Sequence, residues 1–136
     1  MNTSTHKRSN NFCSLDLEYQ GNKVIQVGYV IGNLETGEIL ERISRNIKVD
    51  VIVTPYITQL TTITQEMVDN GHDIQDVYEE LKHLHAKHDC FRNPLTWGGG
   101  DSEDLRKSLE LDDEVYVFGR RWIDVKTVYV SMRFAR

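Results

Sequence analysis

The feature that most constrains the fold is a pair of apolar segments separated only by a short polar turn. Residues 12–19 (FCSLDLEY) and 23–31 (KVIQVGYVI) have the composition and period of strands, and residues 20–22 (QGN) are typical of a turn. In the second segment four apolar residues are predicted to share one face: Ile25, Val27, Tyr29 and Ile31. Residues 38–49 follow as a third strand, so the chain is expected to begin with an antiparallel meander.

Helical patterns dominate the rest of the chain. Thr64 is predicted to cap one short helix and Asp73 to open a longer one over residues 73–88. The later segments are a short strand running into a glycine corner (94–101), a helix (102–111), a short strand (120–125) and a further helix (126–136). Helices that alternate with short strands after a meander predict an α/β fold around a mixed sheet.

Length and charge exclude several classes of protein. The 136 residues suit one domain, and no apolar run approaches the roughly 18 residues that a membrane span needs. Residues 1–11 lack an apolar stretch and are expected to form a frayed tail rather than a secretory signal. Only two cysteines, Cys13 and Cys90, are present, which favours a reducing, cytoplasmic location. The net charge of −5 disfavours tight, non-specific binding of a polyanion by the whole surface.

Two carboxylates stand two positions apart in the first strand. Asp16 and Glu18 are predicted to point to the same side of the sheet, where their charges repel each other. Either both carboxylates stand in solvent on a half-exposed strand, or a divalent cation lies between them. Mg²⁺ and Mn²⁺ are the natural candidates for carboxylate ligands.

Four short motifs occur in the order and approximate spacing of a known family. The first is D-x-E, at Asp16 and Glu18, and the last is W-I-D-x-K-x-x-Y, at residues 122–129. The second, of the type LTxIT-x-x-M, comprises Leu60, Thr61, Ile63, Thr64 and Met67. The third, W-G-x-x-D-x-x-x-L, comprises Trp97, Gly98, Asp101 and Leu105. Together they resemble the DEDD 3′→5′ exonucleases, the RNase T and DnaQ-like superfamily, and especially its Eri-1-like branch, over residues 12–136.

The resemblance implies a ribonuclease H-like fold and two-metal hydrolysis that releases nucleoside 5′-monophosphates from a single-stranded DNA or RNA 3′ end. Asp16 would bridge two ions of Mg²⁺ or Mn²⁺, Glu18 would bind one, and Asp101 would support the second. Nucleotide contacts would fall to Leu17, Tyr19, Thr64 and Met67, although packing is an equal alternative for Tyr19. Related enzymes are often dimers, so a homodimer is a further possibility.

The chain departs from the family at its third motif, which supplies a histidine base and a fourth aspartate on a later helix. No histidine follows position 88 and no aspartate follows Asp124, which belongs to the preceding strand. The exonuclease domain, residues 12–136, is therefore expected to be truncated before its last helix. The chain could be a piece of a longer exonuclease, a shortened relative that binds without cutting, or a subunit whose partner completes the site.

The remaining chemical side chains have mostly structural interpretations. The histidines His83, His85 and His88 are expected at a solvated helix end, since their spacing does not place them on one face. Both tryptophans, Trp97 and Trp122, are expected in the core or flanking the sheet. Three basic residues are either phosphate contacts or solvated strand-end charges: Arg120, Arg121 and Lys126.

Overall fold

The computed structural model describes residues 9–99, 101–112 and 115–134. The strands are β1 (Asn11–Gln20), β2 (Lys23–Asn33), β3 (Ile39–Asn46), β4 (Leu95–Thr96) and β5 (Ile123–Asp124). The helices are α1 (Pro55–Thr61), α2 (Gln65–Asp69), α3 (Ile74–Lys87), α4 (Asp101–Leu109) and α5 (Val125–Phe134). Most of the predicted tail, residues 1–11, lies outside the described residues, as do Gly100 of the predicted glycine corner and residues 135–136.

The five strands form one mixed sheet in the order β3-β2-β1-β4-β5. β1, β2 and β3 pair in antiparallel fashion, whereas β4 lies parallel to β1 and β5 parallel to β4. This arrangement confirms the predicted meander and the predicted α/β class. It also makes β1 the central strand, with the long hairpin on one side and the two short parallel strands on the other.

A β-bulge interrupts the pairing of β1 with β2. Glu18 pairs with Gln26 and Tyr19 pairs with Val24, so Ile25 has no partner across the ladder. Three of the residues predicted to share a face pack together in the main core: Val27, Tyr29 and Ile31. The prediction was wrong for Ile25, because the extra residue at the bulge moves its side chain into a second cluster with Val53, Ile63 and Val68.

The predicted helix starts at Thr64 and Asp73 are confirmed. Thr64 accepts a hydrogen bond from the Met67 N–H at 3.2 Å, and the Asp73 carboxylate accepts one from the Gln75 N–H at 2.7 Å. Sequence analysis did not predict α1, in which Pro55 occupies the first turn and Thr54 is the N-cap. No described helix is long and apolar enough to cross a membrane.

An aromatic cluster closes the main core between the sheet and α3. Its rings contact one another at centroid distances of about 6 Å and belong to Tyr29, Tyr78, Tyr116 and Phe118. His85 joins this cluster: it is buried, meets Phe118 edge-on, and its Nδ1 lies 3.3 Å from the Tyr29 hydroxyl. The expectation of a solvated histidine was therefore wrong for His85, and burial lowers the pKa of its imidazole.

Candidate metal centre

The two carboxylates of the first motif lie together on one side of β1. Leu15 and Leu17 are buried on the core side, whereas Asp16 is exposed and Glu18 is half-buried. The alternation along the strand agrees with the predicted shared face of Asp16 and Glu18. Neither carboxylate lies within ion-pairing distance of a basic side chain among the described contacts, so the pair presents a local negative charge at the sheet.

Asp101, the third predicted ligand, begins α4 and reaches the same strand. The Tyr19 hydroxyl donates to Asp101 Oδ1 at 2.9 Å and also lies 3.1 Å from Asp104 Oδ2. The backbone N–H of Leu17 supplies a further hydrogen bond to the Asp101 carboxylate. The start of α4 is thereby fixed to the strand segment that carries Asp16 and Glu18.

The negative charges of neighbouring carboxylates act on Glu18 and on Asp101. Partial burial and then the negative charges of Asp16 and Asp101 raise the pKa of Glu18. Burial also raises the pKa of Asp101, with added repulsion from Asp16, while the hydrogen bonds from Tyr19 and Leu17 partly offset the rise. Burial and the hydrogen bond to Asp101 raise the pKa of Tyr19, so its hydroxyl remains a donor. Placing a positive charge among these groups would relieve the repulsion.

The donor chemistry fits a hard divalent cation, because all three groups are carboxylates and they repel one another. Their side chains do not converge into a finished cage: no group of three acidic, histidine or cysteine side chains within the described ranges is placed to hold a metal ion. The described ranges leave out residues 1–8, 100, 113–114 and 135–136.

The glycine corner after β4 is fastened by Asp124 of β5. The Gly98 N–H donates to Asp124 Oδ1 at 2.9 Å, and Gly98 has a φ of +97°, which favours glycine. The Thr127 N–H donates to Asp124 Oδ1 at 3.2 Å, which caps the first turn of α5, and the Thr127 hydroxyl donates to Asp124 Oδ2 at 2.8 Å. The hydrogen bonds from Thr127 and Gly98 lower the pKa of Asp124. Asp124 thus lies on a strand, as predicted, and holds the corner that leads into Asp101.

A cleft of about 440 Å³ opens beside Asp16. Its wall includes Trp97, which is 63% exposed and whose ring centroid lies 6.0 Å from that of Tyr129. Of the two expected positions, the core is wrong for Trp97, which directly follows β4 and lies beside the sheet. Trp122 is partly buried against the main core. The sequence signal for this exposed aromatic was its place between the end of a strand and a run of glycines.

The predicted nucleotide contacts occupy different environments. The Leu17 side chain is buried in the core, so only its backbone can face a ligand at this position. Thr64 and Met67 bond to each other at the start of α2, with the Thr64 N–H donating to Met67 Sδ at 3.4 Å. Tyr19 faces α4 through its hydroxyl. No bound nucleotide tests these roles, which stay predictions.

The chain matches the model of a known protein family. The family model for RNase T, described as an exonuclease family, matches residues 11–94, more than half of the 136-residue chain. A curated relative, the 3′-5′ exonuclease DinG of Bacillus subtilis (strain 168), is 35% identical over 79 residues. The match covers 54% of this chain but only 8% of that relative.

Solved structures share the fold at low sequence identity. A 3′-exonuclease that recognises a histone mRNA stem-loop superposes with a TM-score of 0.76 at 20% identity, covering 94% of this chain and 64% of that one. The nuclease domain of 3′hExo, a DEDDh family member bound to rAMP, gives 0.75 at 19% identity, with 92% and 71% covered. E. coli Exonuclease I with a dT13 oligonucleotide gives 0.66 at 16% identity, with 91% and 30% covered. These matches confirm the predicted ribonuclease H-like fold.

Proposed function

Because the chain belongs to the RNase T family of the DEDD exonuclease superfamily, we propose that it is a 3′→5′ exonuclease domain that depends on Mg²⁺ or Mn²⁺. Its substrate is the 3′ end of single-stranded DNA or RNA, and its product is a nucleoside 5′-monophosphate. The observation that carries the proposal is the shared face of Asp16 and Glu18 on β1, with Asp101 of α4 tied to the same strand by the hydrogen bond from Tyr19.

In this proposal Asp16 and Glu18 are the primary metal ligands and Asp101 supports a second ion. When bound, the two divalent ions supply activation of water and stabilisation of the leaving oxygen. The protein's own contribution is to hold these ligands in place before the ions arrive. Tyr19 and the Leu17 N–H orient the Asp101 carboxylate, and Asp124 fixes the glycine corner in front of it.

The cleft beside Asp16 is the proposed seat of the terminal nucleotide. An exposed indole next to a carboxylate site offers a face on which a base can stack, a contact worth about 1–3 kcal/mol per base. Trp97 provides that face, and the tilted ring of Tyr129 lies beside it at a centroid distance of 6.0 Å. Contacts by Leu17, Tyr19, Thr64 and Met67 remain part of the proposal, those of Leu17 through its backbone.

Residues 12–136 contain no histidine after position 88 and no aspartate after Asp124, so the family's histidine base and fourth aspartate have no counterpart among them. A positioned base contributes roughly 10²–10⁴-fold to the rate, and the 136-residue chain alone is therefore expected to cut slowly. A second candidate function is a nucleic-acid or protein binding module that does not cut. The absence of a converging three-ligand set within the described ranges favours it.

The test is digestion of single-stranded DNA and RNA oligonucleotides labelled at the 5′ end, with Mn²⁺ and high protein concentration. The nuclease proposal expects a ladder that shortens one nucleotide at a time from the 3′ end and disappears with EDTA or in Asp16→Asn/Glu18→Gln. A matched control, Glu38→Gln/Asp50→Asn, removes two exposed carboxylates elsewhere and should cut like the wild type. An intact oligonucleotide with folded wild-type protein refutes the proposal for this chain, and retained binding would then support the binding module.

A further inference from the structure

A second pocket, separate from the cleft beside Asp16, lies between α4 and the segment before β5. Its volume is about 540 Å³. Six residues line it: Ser102, Glu103, Arg106, Gly119, Arg120 and Arg121. None of them belongs to the predicted metal ligands or nucleotide contacts. We call this the arginine pocket.

The charge of the arginine pocket is opposite to that of the whole chain. Among the described residues that line it, three are arginines and one, Glu103, is acidic, whereas the chain as a whole carries a net charge of −5. Glu103 is itself engaged, since its Oε1 lies 3.5 Å from Arg106 and 3.5 Å from Lys107. A cationic pocket on an acidic protein attracts anions locally, although the rest of the surface repels them.

The pocket is built on the helix that carries Asp101. Ser102 follows Asp101 directly, and Arg106 comes five residues after Asp101, which is about 7.5 Å of helix rise. The Arg106 guanidinium donates to the Leu111 carbonyl at 3.3 Å, so it is held at the pocket wall. Ser102 Oγ contacts the Gly119 carbonyl at 3.4 Å and joins the helix to the loop that bears Arg120 and Arg121.

We propose that the arginine pocket binds a backbone phosphate of a nucleic-acid strand whose 3′ end lies at the carboxylate site. A planar guanidinium group can donate two parallel hydrogen bonds to two oxygens of one phosphate, and it keeps its charge at any physiological pH. The carboxylate site repels a polyanion until cations are bound, so a nearby cationic pocket would supply attraction where the centre itself does not. The inference rests on the proposed function for placing the 3′ end of the strand at the carboxylate site. Binding of the phosphate by the arginine pocket does not depend on the proposed function.

The experiment measures binding of a fluorescent single-stranded oligonucleotide by anisotropy in EDTA, across a series of salt concentrations. Arg120→Gln/Arg121→Gln should bind the oligonucleotide about tenfold more weakly than the wild type at low salt. The logarithm of the association constant falls with the logarithm of the salt concentration, and this slope should become shallower by about 0.7 for each phosphate that the variant no longer neutralises. Arg120→Lys/Arg121→Lys should keep most of the slope because it keeps the charge. Arg121→Gln alone should show the intermediate effect, and thermal unfolding checks that each variant is folded.

The matched control is Arg42→Gln/Lys87→Gln, which removes two exposed positive charges, one of them on the edge strand β3. Equal weakening in this control and in Arg120→Gln/Arg121→Gln would overturn the inference, because the effect would then be one of net charge. Wild-type affinity in the arginine variant would also overturn it. A third outcome would also overturn it: inorganic phosphate raises the thermal stability of the wild type, but the arginine substitutions leave the oligonucleotide affinity unchanged. The pocket would then bind free phosphate rather than a nucleic-acid strand.

The outcomes separate this inference from the proposed function. A chain that binds through the arginines but never shortens an oligonucleotide refutes the exonuclease proposal and supports the arginine pocket. A chain that shortens oligonucleotides but binds them without regard to the arginines refutes the arginine pocket alone.

Discussion

Replacing Tyr19 by phenylalanine tests whether the tyrosine hydroxyl holds the third carboxylate in place. The change removes one hydroxyl that lies 2.9 Å from Asp101 and 3.1 Å from Asp104, and it leaves the ring in the sheet. Asp101 would retain the Leu17 N–H as a hydrogen-bond partner. We expect a measurable loss of stability without a change of fold.

The magnitude follows from the hydrogen bond that the change removes. Removing one partner of a partly buried charged acceptor costs about 1–3 kcal/mol, and the lower end applies because water can reach Asp104. A loss of about 1 kcal/mol in a domain of this size lowers the melting temperature by roughly 3–5 °C. The hydroxyl stabilises the ionised form of Asp101, so its removal raises the pKa of that carboxyl further.

The assay is urea unfolding of the wild type and Tyr19→Phe at pH 7 and at a pH low enough to protonate Asp101. The difference in unfolding free energy should be present at pH 7 and shrink at low pH, because the neutral carboxyl accepts a weaker hydrogen bond. Tyr56→Phe, at an exposed tyrosine, is the matched control and should show no difference. An equal loss for Tyr19→Phe at both pH values would refute the reasoning and assign the effect to packing.

Three further outcomes are expected. Mn²⁺ should raise the melting temperature at pH 7, and this gain should vanish in acid. Because the pKa values of Glu18 and Asp101 are raised in the folded state, the metal-free chain loses stability as the pH rises through these pKa values. A bound cation restores that stability. The wild type should lose unfolding free energy between pH 7 and pH 5, because the lowered pKa of His85 gives stability that is present above about pH 6.5 and lost as the pH falls. In His85→Asn this loss should be smaller. Gly71→Ala should destabilise the fold by several kcal/mol in urea unfolding, because a Cβ there would lie 2.7 Å from the Lys48 nitrogen, whereas Gly99→Ala meets nothing within 4 Å and should be neutral.

Local signals were enough to predict the meander and two helix starts. The strand period of β2 and the capping residues Thr64 and Asp73 act within a few positions, so the sequence alone displays them. Sequence analysis did not predict helix α1, although Pro55 lies in its first turn, where proline is favoured. The bulge at Ile25 depends on the pairing of two strands and has no local signature.

The candidate site was predictable in its residue types but not in its contacts. Asp16 and Glu18 were predicted from the period of a strand, and Asp101 from the resemblance to a family. The hydrogen bond from Tyr19 to Asp101 joins residues 82 positions apart, and only the folded chain reveals it. For His85 a signal existed, because Val77, Leu81 and His85 follow one another at intervals of four and form one buried stripe of α3.

Because Ile25 has no partner across the ladder, β2 can pair with β1 in one register only. Sliding the strand by one position would turn Val27 and Tyr29 toward water and, at the same time, withdraw Ile25 from its separate apolar cluster. Both penalties oppose slippage, so the hairpin has a single alignment even before any ligand arrives. The acidic pair on the adjoining strand β1 therefore keeps one fixed position along the sheet relative to β2.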